Sequence, residues 1–392
     1  MDFLTAKETE QQYLMQTYGR FQTLLTEGKG AKAVDCDGKE YIDFTSGIGV
    51  NALGYCNDHW LDAVTAQAGK LQHTSNLYYS EPMIRLAEKL CTLTGMDKVF
   101  FGNSGAEANE CAIKLARKYG SDTYGEKHTE IVTLKNSFHG RTITTLSATG
   151  QAVFHQHFQP FTEGFAYGEA NDLDSVVSAV TDNTCAVMVE FVQGEGGVCP
   201  LEKAFVKKLY DFCKDRDILL IADEIQTGIG RTGTLFAYEQ FGVQPDIVTS
   251  AKGLGGGLPI GACLCVEKLG KVLGPGLHGT TFGGNPVVCA GALAVLEQVA
   301  EPSFLQAVAE KGAYLREKLQ KMDGVESVRG LGMMIGVVLK DKQAGAVASA
   351  CVEKGLLVLT AKTLIRFLPP LTISYEEIDC GLERFAAVLQ AE

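Results

Sequence analysis

The sequence predicts an α/β protein with a large domain built on a mainly parallel sheet and a smaller α/β domain toward the C-terminus. Three observations point there. Short apolar runs without polar alternation recur along the first 250 residues, as in strands covered by helices on both faces. Segments of helical period separate them. Beyond about residue 300 the style changes to a Lys- and Glu-rich helix followed by new strands. A chain of 392 residues is also too long for one small core and suits two domains.

Taken in order, Lys32 to Phe44 reads as a hairpin, with two strand-like segments flanking the turn pair Asp37-Gly38. Ile131 to Leu134, Ala186 to Phe191, Ile218 to Ala222 and Ile247 to Thr249 are the apolar strands. Between them, Phe205, Val206, Leu209, Tyr210 and Cys213 form one helical stripe. Asn285-Pro286 sets a cap residue before a proline at the first helical position, and the apolar run that follows predicts a buried helix. Strands are expected around Val325 to Arg329 and Met334 to Leu339, and the N-terminal residues are expected to complete this smaller domain.

Composition narrows the partners. Hydrophobic residues make up 46% and charged residues 21% of the chain, which is ordinary for a globular enzyme. A net charge of -12 repels phosphate backbones and anionic lipid, so neither nucleic acid nor a membrane is an expected partner. The twelve cysteines contain no C-x-x-C pair and read as small buried hydrophobes in a reducing compartment. His155 and His157 lack further ligands at suitable spacing, so no metal is expected. The first residues show no basic region followed by an apolar run, and a cytoplasmic location is expected.

Three segments carry chemistry. In Gly102-Asn103-Ser104-Gly105-Ala106-Glu107, Ser104 and Glu107 have capping-box spacing. Gly105 and Ala106 would then offer unshielded N–H groups to a phosphate at a helix start. The same pattern also describes a capped helix with no ligand. In Leu219-Leu220-Ile221-Ala222-Asp223-Glu224-Ile225-Gln226, a strand ends in Asp223 at the edge where α/β proteins bind ligands. A carboxylate there can keep a pyridine nitrogen protonated, and Gln226 can donate to a ring oxygen, although Asp223 could equally cap the next turn. In Asp246-Ile247-Val248-Thr249-Ser250-Ala251-Lys252-Gly253, a lysine follows a strand end. Such an amine can condense with an aldehyde cofactor, whereas most single lysines are solvated surface charges. The Lys precedes its glycines, which does not fit a Walker loop.

Together the three segments make the set that pyridoxal phosphate requires, and over nearly its whole length the chain resembles the class III (subgroup III) pyridoxal-phosphate-dependent aminotransferases. Within them it is most similar to the acetylornithine aminotransferases. The resemblance implies fold type I, with a seven-stranded sheet in a large domain of residues 51–284 and a small domain of residues 1–50 and 285–392. It implies that Lys252 carries the cofactor and acts in catalysis with Asp223, which pairs with the ring nitrogen. Ser104, Gly105, Ala106, Glu224, Ile225 and Gln226 would complete the cofactor site, with Phe138 of Ser137-Phe138-His139-Gly140-Arg141 stacked on the ring. Arg141 would grip the α-carboxylate of acylornithine. In His278-Gly279-Thr280-Thr281-Phe282-Gly283-Gly284, Thr280 would lie near substrate, and Thr281 would reach the phosphate of a neighbouring subunit, which implies a homodimer. Arg366 would bind the α-carboxylate of glutamate or 2-oxoglutarate, with Glu195 neutralising it while the ω-amine donor is bound. Phe191 stands where the family usually has proline, which puts the local backbone in question.

The implied reaction moves the δ-amino group of N2-acetyl-L-ornithine to 2-oxoglutarate, in arginine biosynthesis. Ornithine, 4-aminobutyrate, succinylornithine or a lysine-pathway analogue would use the same machinery. A nucleotide-binding module is the rival from another class, and it leaves the placement of Asp223 and Lys252 unexplained.

Overall fold

A computed structural model describes residues 1–391. Seven strands form the central sheet in the order Lys98–Gly102, Gly261–Cys265, Ile247–Ser250, Leu219–Asp223, Thr184–Val189, Glu130–Leu134 and Phe165–Gly168. All run parallel except Gly261–Cys265, which is antiparallel to both its neighbours. The apolar runs are therefore covered on both faces: every residue of Thr184–Val189, Leu219–Asp223 and Ile247–Ser250 is buried. Such strands lack polar alternation because neither face meets water.

The helix Lys203–Asp215 covers one face through Phe205, Val206, Leu209 and Cys213. The helix Gly105–Tyr124 covers the other through Cys111, Ala112, Leu115 and Ala116. Asn285 caps the helix Pro286–Val299, accepting from the backbone N–H groups of Val287 and Val288. That helix was expected with the smaller domain. Instead Cys289, Ala292, Val295, Leu296 and Val299 enter the same core as Leu220, Ala222 and Val248. The C-terminal part of the second core begins after it.

That second core joins Ala31, Ile42 and Phe44 near the N-terminus to Ile335, Phe367, Phe385 and their neighbours. Its sheet is antiparallel, in the order Val325–Leu331, Met334–Leu339, Leu364–Phe367 and Leu359–Ala361. The hairpin of Lys32–Asp35 and Glu40–Asp43 forms a separate sheet with Leu25–Lys29 and Leu356–Leu357. N-terminal and C-terminal residues thus share one core. Among the described residues, no single helix is long and apolar enough to cross a membrane.

Candidate active site

The carboxyl ends of the central strands open into a cavity of about 460 Å³, a size that suits a small-molecule ligand. The structure brings Ser104, Gly105, Ala106, Phe138, Arg141, Asp223, Ile225, Gln226 and Lys252 to its walls. Three of these follow from one geometric fact. Parallel strands end at the same edge, so the Gly105 helix start, the Asp223 turn and the Lys252 turn converge although they are distant in sequence.

Ser104 caps the helix Gly105–Tyr124, its Oγ accepting from Glu107 N at 3.2 Å. Glu107 in turn reaches the N–H of Asn103, one residue before the expected partner. The helix start is brought close to the sheet: a Cβ on Gly261 would lie 2.1 Å from Ser104 O. Unpaired N–H groups at such a helix start face the cavity with the positive end of the helix dipole.

Asp223 is 3% exposed, and its Oδ1 keeps acceptor capacity toward the cavity. Its Oδ2 accepts from Asn109 Nδ2 at 2.9 Å and lies 2.7 Å from His139 Nδ1, and its Oδ1 accepts from Ile225 N at 3.1 Å. Thr249 donates to Asn109 Oδ1 at 2.7 Å, which orients the amide. Burial disfavours a charged His139, yet the hydrogen bond and charge of Asp223 outweigh it and raise its pKa. His139 Nε2 is buried without a partner. Beside it, burial pushes up the pKa of Glu190, whose carboxylate accepts from Phe138 N at 2.9 Å and Gly194 N at 3.2 Å.

Lys252 has φ 42° and opens the 3-10 turn Lys252–Gly255. A left-handed backbone is costly for a residue with a side chain, and here it brings the amine into the cavity wall. Burial among protein groups pushes its pKa down to about 8, and Arg366 adds to the shift. The side chain is not sealed off, because it keeps partial exposure on the cavity side.

Next to the cavity, Arg366 Nη1 donates to Glu195 Oε1 at 2.6 Å and to Gln226 Oε1 at 3.1 Å. Arg366 is 3% exposed, and its Nε is buried without a partner. Burial alone would raise the pKa of Glu195, but the charge and hydrogen bond of Arg366 bring it below the ordinary value. Gln226 thus faces this ion pair. Phe191 is fully buried against Phe241, with ring centroids 5.0 Å apart, and its carbonyl accepts from Leu201 N. The loop that follows, which carries Glu195, is anchored in the core by an aromatic ring.

One residue expected in the cofactor site stands elsewhere. Glu224 points away from the cavity, and its carboxylate accepts from Thr227 Oγ1 and from the N–H groups of Ala237 and Tyr238. Adjacent residues at a strand end turn to opposite sides, so Asp223 and Glu224 cannot both face the ligand. Thr281 is exposed and outside the cavity wall. Thr280 Oγ1 accepts from Asn103 Nδ2 at 3.1 Å and from Gly283 N at 3.2 Å. Arg141 is exposed, with its guanidinium 4.2 Å from the Phe154 ring centroid and 5.5 Å from that of Phe138.

Residues 13–389 match the family model described as aminotransferase class-III. The chain belongs to the class-III aminotransferases. This class-III chain is 54% identical to the acetylornithine aminotransferase of Haemophilus ducreyi over 98% of each chain. Among solved structures, it is 38% identical to the N-acetylornithine aminotransferase of Stenotrophomonas maltophilia, with a TM-score of 0.83 and 97% of each chain covered. It is 32% identical to the ornithine aminotransferase of Toxoplasma gondii, with a TM-score of 0.94 over 99% of this chain and 94% of that one. That Toxoplasma structure has pyridoxal phosphate at partial occupancy in its active site.

The residues of this class-III aminotransferase fit pyridoxal phosphate. The cavity offers a helix start for the phosphate, an aromatic ring for stacking, a buried carboxylate for the ring nitrogen and one amine of lowered pKa. His139, Asn109 and Thr249 were not singled out in the sequence. Asn109 had a signal there: it is a polar residue on the face that also presents Ala112 and Ala116 to the core.

Proposed function

We propose that this chain transfers the δ-amino group of N2-acetyl-L-ornithine to 2-oxoglutarate, giving N-acetyl-L-glutamate 5-semialdehyde and L-glutamate, as a step of arginine biosynthesis. The observation that carries this reading is the Glu195–Arg366 ion pair beside the cavity that holds Asp223 and Lys252. Identity to acetylornithine enzymes of 54% and 38%, against 32% to the ornithine enzyme, supports the same donor.

Bound pyridoxal phosphate supplies an aldehyde that takes up the amino group and a ring that draws electrons from the neighbouring carbon. Lys252 would hold the cofactor through its amine, and the same amine, with its pKa lowered by burial, would serve as the base and acid that moves a proton at the substrate carbon. Asp223 would keep the ring nitrogen protonated, and His139 and Asn109 hold Asp223 in place. Gly105 and Ala106 would hold the phosphate, with Ser104 shaping the turn, while Phe138 and Ile225 would hold the ring. Gln226 lies where it can reach both the ring oxygen and Arg366.

One site must accept two amines in sequence. With the ω-amine donor bound, Glu195 neutralises Arg366, and Arg141 takes the far carboxylate. With glutamate or 2-oxoglutarate bound, Glu195 releases Arg366 to the α-carboxylate, so the cationic anchor serves only the second substrate.

The assembly is read as a homodimer in the cytoplasm. Leu77, Tyr78, Tyr79 and Phe282 are 62% to 94% exposed. They lie on neighbouring loops tied by hydrogen bonds from Asn76 to Thr280 O and Gly283 O. An apolar patch of that kind is covered in a stable protein, and a second copy there would bring Thr281 to the partner's phosphate site.

An amine-donor panel on the purified enzyme tests the reading. The expected result is highest kcat/KM for acetylornithine with 2-oxoglutarate. A preference for ornithine or 4-aminobutyrate would overturn the donor assignment.

A further inference from the structure

Arg231 is 2% exposed and carries its charge into the seam between the two cores. Its Nη1 donates to Met333 O at 3.1 Å and to Pro369 O at 2.6 Å, and its Nη2 donates to Ser46 Oγ at 3.3 Å. Met333 N returns a hydrogen bond to Arg231 O at 2.9 Å. No carboxylate is among these partners. Burial presses the pKa of the guanidinium down to about 9, against the charge of Asp43.

A buried cation held by carbonyls and a hydroxyl is an expensive way to fill space, since apolar side chains stabilise such a site as well or better. What the guanidinium adds is a rigid fork with donors at fixed angles. The three acceptors belong to three separate stretches of the smaller unit. Met333 leads into the strand Met334–Leu339. Pro369 follows the strand Leu364–Phe367 by two residues. Ser46 follows the N-terminal hairpin, and its Oγ donates to Leu368 O at 2.6 Å. The two strands pair with Gly336 opposite Arg366. Backbones also close in at this point: Gly332 has φ 53°, and a Cβ on it would lie 2.3 Å from the carbonyl carbon of Thr232.

Arg366 is thus fixed from both sides. Three residues beyond it, Pro369 is clamped by Arg231. At its own guanidinium, it is met by Gln226, which lies in the same connection as Arg231 after the strand Leu219–Asp223. Lys252 and Asp223 belong to the first core, so this connection sets how Arg366 stands relative to them.

We propose that Arg231 is a positioning residue for Arg366, acting much more strongly on the half-reaction that uses glutamate or 2-oxoglutarate than on the ω-amine half-reaction. This rests on the reading above in which Arg366 takes the α-carboxylate. Loss of the fork lets the Leu364–Phe367 strand shift against the first core. The ω-amine donor meets Arg366 only through its pairing with Glu195, an exposed-side carboxylate that can follow a small movement, so it feels that shift less.

The test is single-turnover kinetics of the holoenzyme with each amine donor, in Arg231→Lys, Ser46→Ala and Arg366→Met. For Arg231→Lys, which keeps the charge and loses the fork, the glutamate half-saturation constant is expected to rise about tenfold or more, as for a small displacement of a substrate anchor. Its acetylornithine half-reaction should stay within about twofold of wild type, the scale of a lost peripheral contact. Ser46→Ala removes one acceptor of the clamp and leaves the guanidinium in place. It should shift the glutamate constant in the same direction by about threefold, the worth of one hydrogen bond, and it keeps the question answerable if Arg231→Lys does not fold. An equal loss in both half-reactions, or an unchanged glutamate constant in Ser46→Ala, overturns the proposal. If Arg366→Met loses glutamate while Arg231→Lys does not, the positioning role fails alone. If Arg366→Met spares glutamate, the underlying site reading fails with it.

Discussion

His139 Nδ1 lies 2.7 Å from Asp223 Oδ2, and both side chains are almost wholly buried. With Asn109 as second donor, the carboxylate is held in one orientation, with its negative charge balanced from behind. Charge-assisted hydrogen bonds of this kind are the strong ones.

Asp223→Asn is therefore expected to slow both half-reactions by about 10²–10³-fold, the scale seen when an electrostatic partner of a developing charge is removed. His139→Asn acts only through Asp223 and should cost about tenfold, the worth of a hydrogen bond to a charged group. Stopped-flow rates for the two variants check the order. A His139 variant slower than Asp223→Asn would contradict it.

Glu195→Gln leaves Arg366 without its counter-charge. The acetylornithine half-reaction should fall by about tenfold or more, the cost of leaving a buried charge unpaired, while the glutamate half-reaction holds or improves. Comparing the two rates in the same preparation gives the answer, and an equal decline in both would contradict the removable ion pair.

Gly261→Ala tests the close approach behind the helix start. The added Cβ would meet Ser104 O at 2.1 Å, so the Ser104–Gly105 turn must move. Stability should fall by about 1–3 kcal/mol, as for overpacking, with weaker retention of cofactor on gel filtration. Unchanged retention would separate that turn from the phosphate site.

Much of this was legible in the sequence, for physical reasons. Buried parallel strands have no polar face, so Ala186 to Phe191 and Ile218 to Ala222 announced themselves. A strand end followed by Asp223, and another by Lys252, marks one edge of the sheet. What was not legible depends on directions and on partners distant in the chain. Glu224 neighbours Asp223, and only the turn at Ala237–Tyr238 decides which of the two faces the cavity. The helix Pro286–Val299 was assigned by its place in the chain, whereas its nearly all-round apolar surface belongs between Trp60 and the large core. The partners of Gln226 and Arg231 come from strands more than 100 residues away, beyond any local pattern.

The account stands on Lys252. Its pKa, lowered by burial to about 8, makes the amine neutral and nucleophilic above that pH and protonated below it. The most direct measurement is borohydride trapping of pyridoxal phosphate on cofactor-free protein across a pH series, followed by peptide mass mapping. The predicted result is one adduct, on Lys252, with the rate of its formation half-maximal near pH 8. An adduct on another lysine, or none at all, would contradict the account.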